Sequence, residues 1–138
     1  MLNHECVQEL EKSWLPNISD SGLDRIIDLL RKESPLLIHG CFTKAVPMGC
    51  LATHIAWNHP VAGNSSSIDA GIYWLHHVAH LNPATSLVIR EWDTKGCKNW
   101  QLRMDLLEVF DREAQRRQSI TVACHASEST FTDAVSTR

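Results

Sequence analysis

The chain has 138 residues, 43% of them hydrophobic, which is enough for one globular domain with a sizeable core. Charged residues make up 21% and the net charge is −3, which argues against the clustered Lys and Arg of a nucleic-acid binder. No apolar run approaches the roughly 20 residues that span a bilayer, and Met1-Leu2-Asn3-His4-Glu5 lacks a secretion-signal pattern, so a cytoplasmic protein off the membrane is expected.

Residues 4–15 read as a first helix, stopped ahead of Pro16. Ser21 opens a capping signal before Leu23, Ile26, Ile27 and Leu30, which recur at i, i+3, i+4 and i+7 as the apolar stripe of a second helix. Pro35 ends that helix near Glu33. Leu36 to Phe42 is a short apolar run, either a buried strand or an extended core segment. Pro47 suits the first turn of a helix from Met48 to Trp57, ended by Asn58 and Pro60. Residues 60–68 read as a loop, after which Ser67 or Asp69 can cap a helix over 72–81. Asn82 and Pro83 open the next helix, in which Ala84, Val88 and Trp92 form a narrow buried face. After Thr94-Lys95-Gly96 the longest helix runs from Lys98 to about Arg117. Trp100, Leu107, Phe110 and Ala114 lie on its core side, with Asp105, Glu108 and Arg112 opposite. Arg112, Arg116 and Arg117 complement the dipole at its end.

These elements define a mainly α fold. A helical domain of five or six helices covers residues 1–118, and a flexible Ser/Thr-rich tail covers 119–138. Ile120 to Cys124 offers a partner for 36–42 in one short two-stranded ribbon.

The histidines are the most informative feature. At about 100° per residue, Tyr73, His76, His77 and His80 fall within a sector of about 100° on the helix over 72–81. The i, i+4 pair His76/His80 and the i, i+3 pair His77/His80 can face one metal or one anion. Cys50 and His54 form a second i, i+4 pair on the preceding helix. Together Cys50, His54, His76, His77 and His80 provide the ligand types of a zinc or iron site, with Cys41, His39 and His59 as substitutes. The plainer readings are a polar helix face that uses histidine and a core thiol near a helix start. Cys50 in a first helical turn, with His54 as base, also offers a nucleophile, but no local signature of a cysteine enzyme surrounds it.

The cysteines Cys6, Cys41, Cys50, Cys97 and Cys124 are odd in number and without Cys-x-x-Cys, as expected of free thiols in a reducing cytosol. Glu91 and Asp93 are two residues apart on a helix and do not face each other, so Arg90-Glu91-Trp92-Asp93 reads as a solvated helix end. The five tryptophans anchor a small helical core, with one or two free to line a pocket or an interface.

Gly49-Cys50-Leu51-Ala52, Trp74, then Val88-Ile89-Arg90-Glu91-Trp92-Asp93 ahead of a long final helix resembles a group of small bacterial and phage proteins with no assigned activity. The likeness spans about residues 41–115. It departs at Asp93-Thr94-Lys95, where a second acidic residue and a Gly-Arg-Thr turn are usual. It implies a helical architecture and transfers no catalytic residue. Two functions are expected on these grounds. The first is a cytoplasmic interaction or regulatory module without catalysis, whose partner is another protein or a second copy. The second is a His/Cys metal-binding protein, either a sensor or a small metal-dependent hydrolase.

Overall fold

Asn3 starts the first helix by accepting the Cys6 amide on its side-chain oxygen at 2.8 Å. In the computed structural model, which describes residues 2–62 and 68–136 (123–136 as helical backbone alone), that helix is α1, His4–Glu9. It runs directly into a π-helical turn, Leu10–Trp14, and a 3₁₀ turn, Leu15–Asn17, so the chain stays helical past Pro16. α2 spans Asp20–Arg31. Its cap is Ser19, two residues ahead of the expected Ser21, with the hydroxyl oxygen accepting from Gly22 N at 3.0 Å. Leu23, Ile26, Ile27 and Leu30 are buried as the stripe predicts. Leu29 joins them because α2 lies between α3 and α6.

The ribbon falls elsewhere than expected. β1 is Thr43–Ala45 and β2 is Met48–Gly49, antiparallel, with a register irregularity in β1. Pro47 therefore sits in the ribbon's turn after a cis bond, and α3 begins only at Leu51, running to Trp57. Ile38 N to Gly49 O and Gly49 N to Leu36 O, both 3.0 Å, hold Met48 and Gly49 extended. The run 36–42 thus meets β2 at Leu37 and Gly49 instead of pairing with 120–124.

α4 is Ala70–Tyr73, followed without a break by a second π-helical turn, Trp74–Val78. Asp69 stands at its cap position without a side-chain hydrogen bond, and Ser67 lies outside the described residues. α5 is Leu87–Lys95. Asn82 makes a turn, accepting Ala84 N on its side chain, and Ser86 is the cap that starts the helix. The expected buried position Ala84 is accordingly exposed, while Val88 and Trp92 are buried.

α6 spans Trp100–Ser136, so the helix continues beyond the boundary expected at 118, and residues 120–124 are helical. Its buried stripe is Leu102, Arg103, Leu106, Phe110 and Glu113. Phe110 is fully buried and Leu107 is half-buried, but Trp100 points outward. Because the helix does not end near Arg117, the arginines there are not dipole partners. Arg112 pairs with Glu108, and Arg116 and Arg117 pair with Glu113.

The core is built from α2, α3, α4 and the two π turns, joined by Leu37, by Val88, Ile89 and Trp92 of α5, and by Leu102, Leu106 and Phe110 of α6. Each π turn supplies one indole, and Trp14 and Trp74 meet edge to face at 5.3 Å. α3 and α4 cross closely at Thr53. A Cβ on Gly71 would lie 2.4 Å from Thr53 Oγ1, and a Cβ on Gly49 would lie 2.6 Å from Thr53 Cγ2. Among the described residues, no helix is long and apolar enough to cross a membrane.

Candidate functional site

Cys50 is the cap residue of α3, one position short of its first turn, and is fully buried. Burial pushes its thiol up to about 11, against the lowering effect of hydrogen bonding at the helix start. Its sulfur lies 3.6 Å from the Thr53 hydroxyl. A thiol held protonated and shut away from solvent is a core group, not a nucleophile.

His54 is equally enclosed. Its Nε2–H donates to Leu36 O at 2.7 Å, and its ring stands edge-on to Trp57 at 5.1 Å. Burial lowers its pKa below the usual imidazole range. The neutral ring ties α3 to the segment 36–38.

The other three histidines face the opposite way. α3 does pack against α4 and the following π turn, but on the side of Trp74 and Leu75, which are buried. His76, His77 and His80 are exposed and, with Leu81 and Asn82, line an open surface hollow of about 580 Å³. The π turn carries an extra residue per turn, and His80 has left the helix with φ at 58°. The i, i+4 relation between His76 and His80 is therefore lost. The His77 ring lies 4.5 Å from Tyr73 and 4.6 Å from His76, so the rings pack on one another.

The expected substitutes are committed elsewhere or stand alone. His39 Nδ1 accepts from Cys97 N at 3.0 Å, and His59 Nδ1 accepts from Val61 N and Ala62 N. Cys41 is exposed. Among the described residues, no group of three or more His, Cys, Asp or Glu side chains is placed to hold a metal ion. The structure thus keeps the Cys50/His54 pair and the histidine trio apart.

Three charged residues that the periodicity gives no role make structural contacts instead, two of them at helix ends. Glu9 accepts from Trp14 Nε1 (2.9 Å), Ser86 Oγ (2.7 Å), Leu87 N (2.8 Å) and Val88 N (3.2 Å), which places a carboxylate at the start of α5. Glu113 is gripped by Arg116 through two bonds of 2.8 Å and by Arg117 through one. These bonds hold its carboxyl down to about 2. Arg103, in phase with the apolar stripe of α6, caps the last carbonyls of α2. A charged side chain in register with Leu102, Leu106 and Phe110 was the one sequence signal for that role.

These contacts take the core side of α6, and Trp100 and Met104 are exposed away from it. The helix presents Trp100, Met104, Glu108 and Arg112 at four-residue spacing, a single ridge. Comparison of the chain with protein-family models, curated proteins and solved structures finds no match.

Proposed function

We propose that this chain is a helical interaction module that pairs with a second copy of itself through the outward ridge of α6. The observation that carries the reading is the display of Trp100, 65% exposed, with Met104, 44% exposed, one turn further on. Single exposed apolar residues are ordinary, but an indole and a thioether stacked at i, i+4 form an anchor. The next two ridge residues, Glu108 and Arg112, are exposed and paired with each other at 2.8 Å.

The ridge is self-complementary when two copies run antiparallel. A two-fold axis midway between positions 104 and 108 sets Trp100 against Arg112 of the second copy, a cation–π arrangement, and Met104 against the stem of Glu108. The ridge is about 18 Å long. Trp100 offers on the order of 150 Å² of it, well below the roughly 800 Å² per partner of a stable complex, so the pairing is weak and concentration-dependent. Cys6, Cys41, Cys50 and Cys97 are free thiols, which supports a reducing compartment, the cytoplasm.

Sedimentation velocity from micromolar to near-millimolar protein tests the pairing. A reversible dimer is expected, lost in both Trp100→Ala and Arg112→Glu and kept in Glu11→Ala. A strict monomer across the range overturns self-pairing and leaves the Trp100 face to a different protein. A dimer indifferent to both substitutions overturns the ridge.

A further inference from the structure

Arg103 is only 6% exposed. Its Nη1 donates to Cys97 O at 2.9 Å, and its Nη2 donates to Leu29 O and Leu30 O. A guanidinium carries five N–H donors, of which these bonds use three. Every acceptor is a neutral carbonyl. Among the described residues, no carboxylate comes within ion-pair distance of Arg103 or of Lys98. The carbonyl end of α2 offsets part of the charge, but a buried cation without an anion remains costly.

Arg103 also lines a cavity of about 430 Å³ between the end of α2, the segment 34–38 and the start of α6. Pro35, Leu37 and Ile38 give it an apolar wall, which Trp92 steadies by donating its Nε1–H to Ile38 O at 2.8 Å. Lys98 adds a second cation at the lining and exposed Glu33 one carboxylate, so the charges around the space sum to one positive. Its volume, apolar wall and few convergent polar groups are those of a small-molecule site. The charge left over calls for a monoanion, and the guanidinium hydrogens not given to carbonyls, Nε–H and one on Nη1, can donate to its carboxylate.

We infer that this cavity binds a small organic monocarboxylate, its carboxylate on Arg103 and Lys98 and its apolar body along Pro35, Leu37 and Ile38. Such a ligand supplies the counter-charge that the fold leaves out.

Titration of the ¹⁵N-labelled full chain with hexanoate, and separately with hexanol, tests the site. Hexanoate should shift the amides of Leu37, Ile38, Cys97 and Lys98 saturably, at least about tenfold more tightly than hexanol. Lys98→Glu, a surface change outside the core, should weaken hexanoate several-fold and leave hexanol unchanged. Arg103→Lys should do the same where it folds, since it keeps the charge but loses the guanidinium donors. Equal shifts by the acid and the alcohol, absence of shifts at these amides, or indifference to Lys98→Glu overturns the inference.

Discussion

The carboxylate of Glu9 accepts the hydroxyl proton of Ser86 at 2.7 Å, joining two residues that lie 77 positions apart. Ser86 is itself the cap of α5, its oxygen accepting from Ile89 N at 3.3 Å. The start of α5 is therefore capped twice, once locally and once by the end of α1. Glu9→Ala should destabilise the fold by about 2–4 kcal/mol, because it leaves the indole N–H of Trp14 and two helix amides short of an acceptor. Urea unfolding of the two proteins checks this, and a loss below about 0.5 kcal/mol would show the cap to be ornamental.

Glu113 makes stability depend on acid. Its folded pKa is held near 2, chiefly by the hydrogen bonds of Arg116, well under the 4.5 of a free glutamate. The unfolded chain thus takes up the proton first. The stabilisation is complete above about pH 4.5 and is lost as pH falls towards 2. Glu113→Gln should cost on the order of 2 kcal/mol at neutral pH, a value reduced for the solvent that reaches Arg116, and almost nothing near pH 2. His54 titrates in both proteins and cancels from the difference. A gap that stays constant from pH 6 to 2 would reject the pairing as its source.

The Thr53 crossing should tolerate no added methyl. Gly71→Ala would drive a Cβ to 2.4 Å from Thr53 Oγ1 and 3.0 Å from the Thr53 backbone, so a cost of about 1–3 kcal/mol is expected. Thr53→Ala alone loses the hydroxyl bond to Phe42 O (2.7 Å), yet combined with Gly71→Ala it should cost less than the sum of the two. Strict additivity in thermal or urea unfolding would mean that the two residues do not touch.

Thiol reactivity should separate the cysteines. Exposed Cys41 is expected to alkylate readily in the native protein at pH 8. Cys50, buried and with its thiol raised to about 11, should react only after unfolding. Peptide mass spectrometry after a timed iodoacetamide pulse reads both rates, and modification of native Cys50 at the rate of Cys41 would contradict its burial.

What could be read from the sequence follows from where each element's partners lie. The buried face of α2 was legible, though not its cap at Ser19, since Leu23, Ile26, Ile27 and Leu30 repeat with the helical period and bury together. α6 was legible as a helix and at Phe110, with Leu107 and Ala114 half-buried beside it, but not at Trp100. Arg103 occupies a core position by capping α2, and that turns Trp100 out to solvent. The start of α5 went to Ser86 instead of Asn82 because Glu9 supplies a second cap from the far end of the chain, which no local pattern contains. The histidine trio was correctly placed on one exposed surface. Its ligand geometry failed because the π turn at Trp74–Val78 shifts the helical phase and His80 adopts a left-handed backbone, neither of which has a local residue signal.

The contact between Trp14 and Trp74 has an optical consequence. Two indoles at 5.3 Å and inclined by 61° are close enough for their excited states to mix, so the native core carries its own chiral chromophore. Both rings belong to π turns, and the signal exists only while the two turns are docked. Circular dichroism in the tryptophan bands therefore reports that docking without a label. The emission of exposed Trp100, taken as the difference from Trp100→Ala, reports the outer ridge separately, so the inside and the outside of this small protein can both be followed by their own tryptophans.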